Sequence, residues 1–223
     1  MLLYHDFSVL GLRLPQRGGI YPANQAAKAP IITGYLLFAL GKLKAKGREP
    51  ITVAELFCAD AYYSFLAARF GATRCDAFDS DRDGHLGEAQ AVKEALDDRR
   101  VHLHVRDVLT LPAEVKASIV LNCGGLYHMA DPLRALRISY AMATEYLIVQ
   151  SVVSRRHTDA SYLERPAPGW PHGCRFSAAF LEQAIREQGW RIVDKDENEL
   201  LGNDRPDDRG SAYYLIAVDP SPA

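Results

Sequence analysis

From residue 51 onwards, short apolar runs of strand length alternate with longer segments whose apolar residues recur at helical spacing. The predicted strands are 51–57, 75–79, 101–107, 117–123, 145–153, 190–197 and 211–219. The predicted helices between them are 62–70, 85–98, 131–143 and 177–189. Strands that alternate with helices of this length form a parallel sheet with helices on both faces. Because no helix separates the last two strands, the pattern predicts an α/β fold with a seven-stranded, mostly parallel sheet and an antiparallel C-terminal hairpin.

The first 50 residues have a different pattern. Residues 1–28 contain scattered glycines and prolines and are predicted to be irregular. A helix is predicted over 30–46, with Pro30 at its start and Gly47 just after its end. We therefore predict an N-terminal arm or cap with one helix at 1–50, followed by the main domain at 51–223.

Composition and charge narrow the class of protein. The chain has 223 residues, of which 48% are hydrophobic and 24% are charged, as in ordinary globular proteins. Its 26 basic and 28 acidic residues give a net charge of −2, which argues against a protein that coats nucleic acid with positive charge. The most apolar segment, 29–41, is shorter than the roughly 20 residues of a membrane span, and no secretory signal pattern precedes it, so no membrane association is expected. The four cysteines have neither CxxC nor zinc-site spacing, which predicts reduced thiols in the cytoplasm.

Acidic residues lie at the ends of the first three predicted strands, namely Glu55, Asp79 and Asp107. In a parallel sheet these ends share one edge, and ligands bind there. Asp79 could accept hydrogen bonds from ribose hydroxyls, and Asp107 could accept one from an adenine amine; the alternative for each is an ordinary turn or cap residue. The turn after the first strand carries Ala59 and Ala61 where a phosphate-binding turn would carry glycines. The expected ligand is therefore a nucleoside without phosphates.

Three segments carry a family resemblance that covers roughly residues 50–218. The order of strands and helices resembles the class I S-adenosylmethionine (SAM)-dependent methyltransferases, which have a Rossmann-like fold. The segment VAELFCADAYYSFLAARFGA resembles the first motif of the family around the tRNA wobble-uridine carboxymethyltransferases. CGGLYHMADPLRAL is similar to that group's segment after the fourth strand, and DRGSAYYLI is similar to its C-terminal strand.

The resemblance implies SAM as the cofactor and assigns residues to each part of it, with no catalytic metal. The methionine moiety would face Glu55, Leu56, Phe57, Cys58, Ala59 and Ala61. The ribose and adenine would lie against Asp79, Ser80, Asp107 and Val108, and Cys123 and Gly124 would form the floor below the sulfonium. Family members have glycines in the first motif, whereas this chain has Phe57, Ala59 and Ala61, and a side chain there is strained wherever φ is positive.

Tyr127 and His128, just past the fourth strand, are the candidate catalytic residues. His128 could act as a general base toward a protonated acceptor, or it could serve only to hydrogen-bond the backbone. The leading hypothesis is a methyltransferase for a small-molecule acceptor. The alternatives are a tRNA-modifying enzyme that transfers methyl or carboxymethyl, and a non-catalytic domain with a degenerate cofactor site.

Overall fold

The computed structural model describes residues 1–218, and its central element is a seven-stranded sheet. The strands along the chain are β1 (Thr52–Leu56), β2 (Arg74–Asp79), β3 (Val101–Val105), β4 (Ala117–Cys123), β5 (Ala143–Val153), β6 (Leu163–Glu164), β7 (Arg175–Phe176), β8 (Arg191–Glu199) and β9 (Gly210–Ala217). Seven of these strands form the sheet, in the order β3-β2-β1-β4-β5-β9-β8. The first five strands of this order are parallel, and β9 is antiparallel to both of its neighbours. The predicted fold is confirmed, including the antiparallel C-terminal hairpin. Asp219, the last residue of the predicted final strand, lies outside the described residues.

Five helices flank the sheet: α1 (Ile20–Ala45), α2 (Tyr62–Arg69), α3 (Leu86–Leu96), α4 (Pro132–Met142) and α5 (Ala178–Glu187). Buried residues of α1, α2 and α3 belong to the apolar core on one face, and those of α4 and α5 to the core on the other. Two of the helices, α4 and α5, begin at capping residues that the sequence predicted. Asp131 accepts a hydrogen bond from the Arg134 amide, and Ser177 accepts one from the Phe180 amide. The helices on both faces were predicted, and they are present.

Helix α1 begins ten residues earlier than predicted and contains Pro30 in its interior. A proline normally interrupts a helix because it lacks an N–H and crowds the preceding turn. Here tertiary contacts stabilise the first half of the helix. Asn24 Nδ2 donates to Asn203 Oδ1 at 3.0 Å, and Asn198 Nδ2 donates to the Ala27 carbonyl at 2.8 Å. The prediction of an irregular segment over 20–28 was therefore wrong.

Among residues 1–218, α1 is the one helix long and apolar enough to cross a membrane, judged by length and composition alone. One side of it packs on the sheet through buried residues that include Ile32, Leu36 and Leu43. The arm before it enters the same core through Leu3 and Phe7. The N-terminal residues thus pack directly on the face of the sheet covered by α2 and α3.

Candidate functional site

The site predicted from the sequence lies at the carboxyl ends of the parallel strands, where the strand order reverses. β1 pairs with β2 on one side and with β4 on the other, and the chain leaves these strands in opposite directions along the sheet. Such a reversal opens a crevice between the loops that follow the two central strands. In this protein those loops are the β1–α2 turn and the segment after Cys123.

The β1–α2 turn has an unusual backbone. Phe57, Ala59 and Ala61 have φ values of 56°, 47° and 60°, in the left-handed region that glycine adopts readily. A side chain in this region costs on the order of 1–3 kcal/mol per residue, and such strain is concentrated at functional sites. The chain therefore keeps a glycine-type turn without glycines.

Hydrogen bonds from the next strand hold this turn in place. Asp79 Oδ2 accepts from the Ala59 amide at 3.0 Å, and Asp79 Oδ1 accepts from the Asp81 amide at 2.8 Å. The Cys58 amide donates to the Phe78 carbonyl at 3.2 Å. The carboxylate predicted to hold ribose thus lies directly beside the turn, and its two oxygens hold the β1–α2 turn and the loop after β2.

A second carboxylate of the turn, Asp60, is fully buried and pairs with the N-terminal arm. Its Oδ1 lies 2.5 Å from His5 Nδ1, and its Oδ2 accepts from the His5 amide at 2.7 Å. The His5 ring also stacks on Tyr62, with ring centroids 4.8 Å apart. Sequence reasoning missed this pair, because no motif or spacing relates residues 55 positions apart.

Phe57 fills the space between the two central loops. A Cβ added to Gly125 would come within 1.9 Å of the Phe57 ring, so the ring lies directly against Gly125. Gly125 is buried under it. Phe57 therefore occupies the crevice between the β1–α2 turn and the segment after β4, on the side where the methionine moiety was predicted.

Glu55, which was predicted to face that moiety, is buried beneath helix α2. Its Oε2 accepts hydrogen bonds from the Ser64 amide at 2.7 Å and the Ser64 hydroxyl at 2.6 Å. Desolvation raises the pKa of Glu55 from 4.5 to about 8, although the Ser64 hydrogen bonds oppose this shift. Glu55 is therefore mostly protonated at neutral pH and stabilises the start of α2.

This raised pKa predicts a loss of stability in alkaline solution. Because Glu55 binds its proton more tightly in the folded state, the proton stabilises the folded protein. This contribution to the free energy of unfolding is complete below about pH 4.5 and is lost as the pH rises through about 8. Glu55→Gln keeps the acceptor oxygen without the titration, so its melting temperature should fall less than the wild type's between about pH 5 and 9. The exposed Glu114→Gln serves as the control. A melting temperature that falls by the same amount in the wild type and in Glu55→Gln over this pH range would contradict the raised pKa of Glu55.

The residues predicted to surround the nucleoside lie at the tips of β2 and β3. Ser80 is exposed directly after β2. Asp107 is exposed two residues beyond β3, where its Oδ1 accepts from the Leu109 amide at 2.8 Å. Val108 is buried beside it. The structure therefore brings Asp79, Ser80, Asp107 and Val108 to one edge.

The predicted floor and acceptor wall follow β4. Cys123 is half-buried, and Gly124 has a φ of 85° with its amide bonded to the Gln150 carbonyl. The Tyr127 and His128 rings are in contact, with centroids 4.1 Å apart. The residue His128 is exposed, yet desolvation by nearby protein, together with Arg175 and His172, lowers its pKa to about 4. The ring is therefore neutral over the physiological pH range and can accept a hydrogen bond, and the lowered pKa makes it a weaker base than an ordinary histidine.

Two cations near this wall were not singled out from the sequence. The guanidinium of Arg175 lies 5.4 Å from the centre of the Tyr127 ring and pairs with Asp208 at 2.5 Å. Lys28, on α1, is close enough for its charge to act on both Cys123 and His128. Arg175 lies on the two-residue strand β7, which is too short to give a sequence signal.

The aromatic residues of the long loop after β5 pack within the loop and against the segment between β8 and β9. The rings of His157 and Tyr162 stack with centroids 3.9 Å apart, and Arg205 covers the ring of Trp170 at 5.0 Å. The aromatic residues Tyr162 and Trp170 of this loop therefore have protein partners.

No family model and no curated protein sequence matches the chain, but many solved structures share its fold. Magnesium protoporphyrin IX methyltransferase (ChlM) from Synechocystis PCC 6803, solved with bound SAM, is similar with a TM-score of 0.67 and 15% identity, covering 97% of this chain and 88% of that chain. The [4+2]-cyclase SpnF has a TM-score of 0.60 and 17% identity, covering 77% of this chain and 75% of its own. The N-terminal domain of EvdMO1, solved with SAH bound, has a TM-score of 0.56 and 20% identity, covering 82% of this chain and 80% of that chain.

These similarities show that the chain has the fold of class I SAM-dependent methyltransferases. At 15–20% identity they show the fold alone, and the cyclase among them demonstrates that this fold carries more than one activity. None of these three is a tRNA wobble-uridine enzyme, so that closer resemblance remains a sequence-based hypothesis.

Proposed function

We propose that the protein is a SAM-dependent methyltransferase that acts on a small-molecule acceptor. The observation that carries this proposal is the left-handed backbone at Phe57, Ala59 and Ala61, at the point where the sheet order reverses. A turn that keeps this conformation against the steric preference of its own side chains is best explained by a ligand that needs it. The four cysteines are free, which supports our further proposal of a cytoplasmic location.

The residues at the edge of the sheet fit the nucleoside half of SAM. Asp79 would hold the ribose beside Ser80, Asp107 would accept from the adenine amine, and Val108 would supply an apolar contact. The methionine half would lie over the backbone of the β1–α2 turn, with Cys123 and Gly124 below. Phe57 crowds this half, because its ring lies against Gly125.

When bound, SAM supplies an activated methyl group on a sulfonium. The task left to the protein is alignment of the acceptor, which lowers the barrier by fixing reactants in an attacking geometry. Tyr127 and His128 form the wall that would orient the acceptor. His128 is neutral at pH 7, because its pKa is about 4, so it can take the proton that a hydroxyl or amine acceptor loses and pass it to water, but does not retain it.

The basic residues give little support to the alternative of a tRNA substrate. The cluster from Lys42 to Arg48 ends α1 just before β1 begins, so it lies at the amino edge of the sheet, opposite the crevice. Arg48 pairs there with Glu145, near the start of β5, and Arg155 pairs with Glu199. An RNA track leading to the site would need a continuous run of exposed cations along the carboxyl edge, which the cluster at the amino edge does not supply. A gel shift with bulk tRNA tests this alternative directly.

The proposal predicts a specific response to Phe57→Gly. Glycine vacates the space that the phenyl ring fills beside Gly125, so SAM affinity measured by calorimetry should rise by roughly tenfold, about 1.4 kcal/mol, whereas relief of the positive-φ strain stabilises the free and the bound protein alike. Ala59→Gly relieves the same kind of strain without opening space, so it is the matched control and should change affinity less.

Phe57 also favours a second candidate, a domain that keeps the fold without turnover. If the wild type does not bind SAM and Phe57→Gly does, the site is degenerate and this second candidate is correct. If neither protein binds SAM, the proposed cofactor is wrong. Tight binding by the wild type with no change in Phe57→Gly would place Phe57 outside the cofactor site.

A further inference from the structure

Arg175 is a buried cation whose hydrogen-bonding capacity is only partly used. Its side chain is 3% exposed, and Nη2 pairs with Asp208 at 2.5 Å. Nε and Nη1 are both buried, and neither has a hydrogen-bond partner among the described residues. Buried guanidinium nitrogens nearly always have acceptors, and an unpaired one is a reason to look for a missing partner.

The surroundings of Arg175 connect it to the proposed acceptor wall. The Cys174 amide donates to the Tyr127 carbonyl at 2.9 Å, which fixes the start of β7 against the segment after β4. The guanidinium lies 5.4 Å from the Tyr127 ring centre, and that ring contacts His128. Arg175, Tyr127 and His128 are thus three consecutive neighbours along one wall.

More than one cation faces this wall. The charges of Arg175 and Lys28 both act on His128, and the charge of Asp83 opposes them; burial lowers the pKa of Lys28 itself. Lys28 has no ion pair or side-chain hydrogen bond described for its ammonium group. Asp208 neutralises Arg175 on one side only, so an oxyanion placed here would meet two unpaired guanidinium nitrogens.

We infer that Arg175, on the wall formed by Tyr127 and His128, binds an anionic group of the acceptor, a carboxylate or a phosphate. This inference rests on the proposed function, since it names the class of acceptor for that site. Arginine suits this role because its planar fork matches the geometry of both oxyanions. The Tyr127 ring beside the guanidinium gives an apolar surface for an acceptor in which the anion is attached to a ring.

Probes that differ only in charge test the inference. Benzoate and phenyl phosphate represent the two oxyanions, and benzamide is the uncharged analogue of benzoate. Titration calorimetry with the full chain should show that at least one anion binds roughly tenfold or more tightly than benzamide, as expected for hydrogen bonds to a charged group. Which anion binds better identifies the oxyanion.

Variants locate the binding to Arg175. Because Arg175→Gln alone would leave Asp208 buried without its partner, the main variant is the double substitution Arg175→Met with Asp208→Asn, which removes both charges. It should abolish the preference for the anion. Lys28→Gln breaks no described ion pair and should weaken anion binding severalfold. Arg186→Gln, on the exposed face of α5, is the matched control and should change nothing.

Equal binding of benzoate, phenyl phosphate and benzamide to the wild type would overturn the inference. So would an unchanged anion preference in a folded double variant. SAM binding, measured on the same samples, separates this failure from failure of the proposed function. If SAM binds and no anion does, only the anion subsite is wrong; if an anion binds through Arg175 and SAM does not, only the proposed cofactor is wrong.

Discussion

Replacing His5 with alanine is expected to lower the free energy of unfolding by about 3 kcal/mol, because it removes the ring that pairs with one oxygen of a buried carboxylate, while the backbone amide of residue 5 still holds the other oxygen. Asp60 has no exposed surface, and both of its oxygens are held by His5, at 2.5 and 2.7 Å. The substitution also removes the ring that stacks on Tyr62 at the start of α2. Chemical denaturation monitored by circular dichroism measures the loss.

A second substitution separates the charge from the packing. In the double variant His5→Ala with Asp60→Asn, no charge is left buried, so much of the lost stability should return. Arg13→Ala, an exposed position in the same arm, is the control for general effects of changing the arm. If His5→Ala is as stable as the wild type, then the arm does not hold the β1–α2 turn.

The strands could be predicted from the sequence because each has a clear apolar pattern. β4 is fully apolar at its centre, as fits a strand buried on both faces, and its bounds match the prediction residue for residue. The start of α4 was equally clear, since Asp131 followed by Pro132 is a cap that physical chemistry favours in almost any context. Such local signals do not depend on the rest of the chain.

What could not be predicted depends on contacts between distant parts of the chain. The first half of α1 is helical because Asn198 and Asn203 bond to it from the far end of the sequence. The pairing of His5 with Asp60 and that of Arg175 with Asp208 likewise leave no trace in residue spacing. Local propensity is a weak guide wherever tertiary contacts override it.

The β1–α2 turn lies between these two cases. Its place after the first strand was predicted, and so was the strain that Ala59 and Ala61 would suffer at positive φ. The sequence did not reveal that the backbone would adopt positive φ at all three positions, because residue preference alone favours the opposite sign. Asp79 and the buried Asp60 supply the hydrogen bonds that offset this preference.

His128→Gln is expected to lower the turnover of methyl transfer by roughly 10²–10⁴-fold if His128 is the general base. Glutamine keeps the size and a polar end but cannot accept the proton. Because the pKa of His128 is lowered to about 4, wild-type activity should stay level with falling pH well below the usual histidine range and decline only as the pH approaches 4. Transfer of labelled methyl from SAM to an acceptor found by screening ring-bearing carboxylates and phosphates measures both effects.

His172→Gln is the matched control, since His172 is an exposed neighbour of His128 whose described ring contact is with Trp170 and not with Tyr127 or His128. The His172→Gln variant should retain most of the turnover. The pH at which activity declines on the acid side should rise slightly or stay the same, because the variant lacks a positive charge that can disfavour protonation of His128. SAM affinity should be almost the same in His128→Gln as in the wild type, which separates a catalytic loss from a loss of cofactor. Near-normal turnover in His128→Gln, with a lowered melting temperature, would show that the ring only supports the Tyr127 segment and that the proton leaves by another route.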